Sequence, residues 1–107
     1  MTQAAELGGK SVIVTGGATG IGLATARLLA SRGARVAIIG HEAAAVAAAT
    51  AELDAEGLAV LGLVADVSDE QSVKRAFEQF ENDIGPLSGL VCSAGIQPYG
   101  TAKWEAR

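Results

Sequence analysis

One cysteine, two prolines and an aromatic fraction of 4% are all that these 107 residues contain of those types. The single thiol, Cys92, excludes an internal disulfide and fits a reducing compartment. So little proline beside an apolar fraction of one half is globular composition and excludes a disordered chain. Basic side chains are outnumbered, eight against twelve, and no Lys/Arg-rich patch stands out, so no nucleic-acid partner is expected. Long hydrophobic runs are missing too. The longest, LAVLGLVA from Leu58 to Ala65, is far too short to span a bilayer. The opening MTQAAELGGK lacks a basic segment followed by an apolar core, so no secretory signal is expected, and the reading is a soluble cytoplasmic protein of one domain, residues 1–107. No metal site is expected.

Apolar runs of two periods alternate along the chain. Ser11–Val14 is rich in β-branched residues and bounded by glycines, which reads as a buried strand. From Ile21 the period changes. Ile21, Ala24, Leu28 and Leu29 fall on one helical face, and Gly33 stands where such a helix is capped. Arg35–Ile39 is a second strand. Glu42–Ala55 is an alanine-rich helix with Val46, Ala49 and Leu53 on one stripe, Glu42 in its first turn and Gly57 past its end. Leu58–Ala65 reads as a third strand. Ser68–Gln71, SDEQ, has the form of a capping box, with the serine oxygen accepting from a free amide of the helix it opens. That helix carries Val73, Phe77, Phe80 and Ile84 on one face and stops at Gly85-Pro86; Leu87–Ser93 is a fourth strand, in which Cys92 reads as a buried structural thiol. Strands separated by helices run parallel, and runs this apolar are covered on both faces, so the fold class is a doubly wound α/β sheet with its ligand site at the carboxyl ends of the strands.

The first strand-to-helix turn reads TGGATGIG, Thr15 to Gly22, with four glycines in eight residues. A turn there aims helix amides, with their partial positive charge, at whatever lies above the strand end. Gly16 allows a tight turn, Gly20 lets an anionic group approach bare backbone, and Gly22 lets the helix pack closely on the sheet. A phosphate or pyrophosphate is the natural ligand. The spacing T-G-x-x-x-G-x-G is neither the G-x-G-x-x-G fingerprint nor a mononucleotide loop. On its own, the turn is also compatible with a glycine-rich corner that holds nothing.

With this turn, Asp66-Val67 after the third strand and Ser93-Ala94-Gly95 after the fourth, the chain resembles the short-chain dehydrogenase/reductase family, and within it the bacterial 3-oxoacyl-carrier-protein-reductase-like members. The likeness runs from Ser11 to about Gly100 and implies a Rossmann-like sheet in a partial 3-2-1-4 order with three helices. It places Gly16, Thr19, Gly20, Ile21 and Gly22 under the pyrophosphate of a nicotinamide dinucleotide, Ile21 through its backbone amide. It places Asp66 on the adenine amino group, Val67 beside it through its backbone, and Ser93, Ala94 and Gly95 next to the nicotinamide-side ribose. Where the family has Asn-Asn-Ala-Gly this chain has Cys92-Ser93-Ala94-Gly95, and serine cannot make asparagine's two-ended amide bridge to a neighbouring strand.

At the end of the second strand the residues are Gly40-His41, where an NAD-preferring enzyme has an acid for the ribose hydroxyls. By analogy with relatives reading Gly-Arg, His41 stands in the cationic place of a 2′-phosphate pocket, so the resemblance favours NADP over NAD; the alternative is that Glu42 binds the ribose. The activity it implies is hydride transfer between that cofactor and a small carbonyl or alcohol substrate, in a homo-oligomer. The tyrosine acid/base, its lysine and the serine that holds the carbonyl are expected outside this chain: Tyr99 and Lys103 have the Y-x-x-x-K spacing but follow the fourth strand directly, which is the wrong context. Catalytic residues are thus expected to be none here. Three readings result: the amino-terminal, nucleotide-binding half of a reductase; a non-catalytic dinucleotide-binding module; or an unstable truncated product whose fourth strand is an apolar edge.

Overall fold

The computed structural model describes residues 6–16, 18 and 20–92. Among them the elements are β1 (Ser11–Thr15), α1 (Gly20–Ser31), β2 (Arg35–Gly40), α2 (Ala43–Ala55), β3 (Val60–Val64), α3 (Glu70–Asp83) and β4 (Gly89–Cys92). The strands form one parallel sheet in the order β3-β2-β1-β4. The chain therefore steps outward from β1 to β3, then returns across β1 to lay down β4. That reversal puts the switch point, at which open α/β sheets bind ligands, at the carboxyl ends of β1 and β4.

Period-two alternation divides the sheet residues between two covering layers. Val12, Val14, Val36 and Ile38 pack with Ala26 of α1 and with Val46 and Ala49 of α2. Ile13, Ala37, Ile39, Leu63 and Ala65 face the other way, onto Ala76 and Phe80 of α3. Phe80 is completely buried, and a phenyl ring so placed contributes about 2–3 kcal/mol of apolar burial. The stripe Val46, Ala49 and Leu53 on α2 is buried as its spacing requires.

Four details differ from the sequence reading. On α1 the fully buried residues are Gly22 and Ala26; of the expected face Leu29 is half-buried and packs on the core, whereas Ile21 and Leu28 are 68% and 51% exposed and Ala24 is exposed as well. A helix apolar on nearly every side does not announce its face by periodicity; here Gly22 and Ala26 are the fully buried positions, where small residues let the helix axis come close, and Leu23 and Leu29 pack at the flanks. Glu42 is the N-cap of α2 rather than a first-turn residue: its backbone is extended, its side chain makes no cap bond, and its carbonyl accepts from Val46 N–H at 3.0 Å. β3 and β4 are shorter than their apolar runs, since Leu58 N–H is used by the Leu53 carbonyl to close α2 and Ser88 N–H crosses to the Ser11 carbonyl ahead of the ladder. Cys92 is exposed rather than buried, because alternation along β4 sends Leu90 and Cys92 outward together.

At Gly62 of β3 a Cβ would stand 2.8 Å from both Val46 Cγ1 and Thr50 Cγ2 of α2. Both neighbours are β-branched and stiff at χ1 in a helix, and Thr50 Oγ1 is further tied to the Ala47 carbonyl at 3.0 Å. Neither can swing aside, so α2 must lift. Gly62→Ala is expected to lower stability by about 1–3 kcal/mol in urea unfolding; a midpoint equal to that of the parent chain would show that α2 does not rest directly on β3.

Candidate functional site

β1 ends at Thr15, whose hydroxyl donates to the Val91 carbonyl of β4 at 3.4 Å, while Gly16 N–H donates to the Ile39 carbonyl of β2 at 2.9 Å. The strand end is thus held from both sides before the chain turns. Gly16 and Gly20 have φ of +69° and +57°, a region in which a side chain is strained, so the turn is built for glycine at both places. Among the described residues, nothing outside its chain neighbours and its own helix backbone lies within 4 Å of where a Cβ on Gly20 would sit. The leading amides of a helix have no intrahelical partner and carry its positive end. No acid stands in the first turn of α1 to neutralise it. At α3, by contrast, Asp69 and Glu70 occupy that position themselves. Ile21 is exposed and Gly22 is buried. The fit to an anion is therefore good: bare backbone, unpaired donors and room.

Two further residues from the sequence reading stand on the same edge of the sheet. His41 follows β2 and is exposed; Asp66 follows β3, its neighbour in the sheet, with Ala65 N–H donating to the Gly40 carbonyl at 2.9 Å between them. Asp66 opens a turn closed by Asp69 N–H on its own carbonyl at 2.9 Å. Its Oδ1 accepts from Ser68 N–H at 2.9 Å and from the Ser68 hydroxyl at 2.6 Å. Its main-chain N–H donates to Ser72 Oγ at 3.0 Å. Ser68 is accordingly not the cap of α3, as the capping-box form suggests. Asp69 is, accepting from Gln71 N–H at 3.1 Å, because Ser68 is already spent on Asp66. Ser72 has no signature of a site residue in the sequence; the Asp-x-Ser spacing of an Asx turn is the available signal for Ser68. Val67 is 67% exposed, and its N–H has no partner among the described residues. Thr19, Ser93, Ala94 and Gly95, together with Tyr99 and Lys103, lie outside the described residues.

A model of the short chain dehydrogenase family matches residues 10–106. The chain belongs to that family. Among curated relatives of this chain, the 3-oxoacyl-[acyl-carrier-protein] reductase of Bos taurus is 41% identical over 87 residues, 81% of this chain and 35% of its own. Gluconate 5-dehydrogenase of Gluconobacter oxydans is 40% identical over 92 residues, 86% of this chain and 36% of its own. Among solved structures, a dehydrogenase/reductase from Sinorhizobium meliloti superposes with a TM-score of 0.80 at 37% identity, over 90% of this chain and 38% of that one. A blue fluorescent protein from a metagenomic library, crystallised in complex with NADPH, gives 0.75 at 39% identity, over 89% of this chain and 41% of that one. The chain spans about a third of the length of the curated relatives it matches. Sheet order and helix count are as the family resemblance implies.

The Ser68 hydroxyl and then the Ser68 amide hold the Asp66 carboxyl below its ordinary range, against an opposing effect of desolvation, with a lesser lowering contribution from nearby His41. A folded value below the unfolded one means that the stability these bonds contribute is complete above the unfolded value, near pH 4, and is lost as pH falls through the lower folded value. In a carboxyl-carbon NMR titration, Asp66 is expected to titrate below an ordinary aspartate, and Ser68→Ala to move its midpoint upward. An unmoved midpoint would mean that the serine does not hold the charged form.

Proposed function

We propose that this chain, residues 1–107, is a nicotinamide-dinucleotide-binding domain of an oxidoreductase that interconverts small carbonyl and alcohol compounds. The observation that carries the reading is the corner between β1 and α1: Gly20 with no described side chain over it, a helix start with no acid in its first turn, and its place at the point where strand order reverses. An NADPH complex of a structural neighbour at 39% identity supports it.

Each residue has a stated task. The amides of Gly20, Ile21 and Gly22 donate to a pyrophosphate, and Gly16 turns the chain so that they can. Asp66 accepts from an adenine amino group while the Val67 amide donates to the neighbouring ring nitrogen. His41 meets a 2′-phosphate. No carboxylate takes the place at the end of β2 that would bind ribose hydroxyls and repel that phosphate, which favours NADP over NAD. Ser93, Ala94 and Gly95 take the nicotinamide-side ribose and Thr19 joins the pyrophosphate loop; these four rest on the resemblance alone. When bound, the cofactor supplies or accepts the hydride. The groups that hold the carbonyl and move its proton are placed outside the described residues.

A valine at Gly20 fills the space over it and strains the backbone. Displacing two charge-assisted bonds at about 1.5–3 kcal/mol each weakens NADP by about 100-fold or more in calorimetry. Gly9→Val, at the opposite end of β1, is the control for strain and keeps its affinity. Equal affinities in both variants would refute the anion cradle. For His41, exchange to Asp puts a carboxylate against the 2′-phosphate and is expected to move the NADP/NAD affinity ratio about tenfold toward NAD. A ratio that stays where it was would remove His41 as the selector.

A further inference from the structure

In the proposed function Asp66 is the acceptor for an adenine amino group, and the inference rests on that role. The Asp66 carboxylate is exposed, and an exposed carboxylate ordinarily samples several rotamers that a ligand must then freeze. Here it is already frozen from two directions. Ser68 donates twice to one oxygen, Oδ1, at 2.9 and 2.6 Å, and leaves Oδ2 with no partner among the described residues. Ser72, one turn further on and on a different element, takes the main-chain N–H of Asp66 itself at 3.0 Å and so pins the backbone from which the carboxylate springs. The result is one fixed acceptor, Oδ2, a residue away from one unpartnered donor, the Val67 N–H.

That pair has a definite chemical complement. Adenine presents an amino donor beside an unprotonated ring nitrogen. Hypoxanthine, of the same size and charge, presents a carbonyl beside a protonated nitrogen, so that both contacts become mismatched and two polar groups are left facing their own kind. The sharper the acceptor is fixed, the less it can turn away from the wrong base.

We propose that Ser68 and Ser72 are positioning residues that hold Asp66 and Val67 in register as a base reader, making the site select adenine over hypoxanthine in the nucleotide it binds.

Calorimetry with NADP and with its hypoxanthine counterpart tests this in the parent chain and in Ser68→Ala, Ser68→Thr, Ser72→Ala and Asp66→Asn. The parent is expected to bind the adenine form about tenfold tighter, a mismatch of two hydrogen bonds. Ser68→Ala and Ser72→Ala are each expected to lower that ratio about threefold, the effect of loosening an acceptor without removing it, while Ser68→Thr, which keeps the hydroxyl, preserves it. Asp66→Asn, whose amide can donate to the hypoxanthine carbonyl, is expected to abolish the preference. A parent ratio near one, or a ratio unaffected by Asp66→Asn, overturns the adenine reading itself. A ratio that falls in Asp66→Asn but holds in both serine-to-alanine variants leaves that reading intact and overturns the positioning role. Melting temperatures are measured alongside: a serine variant that melts lower with its ratio unchanged has only a structural serine, and that result also counts against the proposal.

Discussion

Everything at the carboxyl edge of this sheet depends on how closely α1 lies against β1. The chain must leave a buried strand, reverse, and start a helix within four residues, between Thr15 and Gly20, and the helix must then settle on the strand it has just left. Gly22 and Ala26 make that possible because they put almost no volume between helix axis and sheet. A larger residue at either place would push the helix outward and carry its leading amides away from the switch point. The fixed strand end matters equally: with Thr15 bonded to β4 and Gly16 to β2, the turn starts from a point that neither neighbour can shift alone.

The same economy of volume recurs at the other end of the carboxyl edge. α2 lies on β3 over Gly62, and Gly40 admits Val46 with its Cγ2 3.0 Å from where a Cβ would be. Close seating of α2 keeps β2 and β3 side by side to their carboxyl ends, and His41 and Asp66 emerge as neighbours for that reason. The salt bridges from Arg27 of α1 to Glu52 and Glu56 at the far end of α2 join the two helices over the same face of the sheet. They are exposed, and packing rather than charge sets the helix spacing.

Much of this is legible in the amino-acid sequence. The order of elements comes from period changes and glycine punctuation, because each strand is short and β-branched and each helix long enough to show a stripe. The sheet order comes from the family likeness and agrees with the fold. The mismatches have identifiable reasons. α1 is apolar around most of its circumference, so periodicity cannot say which side is inward, and the fully buried positions are the small Gly22 and Ala26, with Leu23 and Leu29 packed beside them. SDEQ is a serviceable capping box, but a competing acceptor two residues upstream, Asp66, takes the serine first. Cys92 reads as buried because its strand is apolar, although strand composition says nothing about which face another layer covers. Gly16, Gly20, His41, Asp66 and Val67 all follow the carboxyl ends of strands or open the helix beyond them, a placement readable from the order of elements. Ser72 has no signature, since a serine in the first turn of a helix is ordinary.

Placing Asp66 after β3 and His41 after β2 has an electrostatic consequence that neither residue carries alone. The sheet brings an acid and a base to adjacent strand ends on an edge whose other feature is a positive helix terminus. The acid is stabilised in its charged form by two serine donors as well as by the histidine. Its charge therefore survives without a full ion pair, and the histidine is not consumed in neutralising it. A dinucleotide makes contrary demands on one surface, negative phosphates beside a base whose amino group needs an acceptor. In the proposed site an acid kept ionised by neutral donors meets the second demand without drawing on the helix terminus that meets the first. Ser68 supplies those donors through its amide and its hydroxyl together, which a residue without a side-chain hydroxyl at that position cannot do.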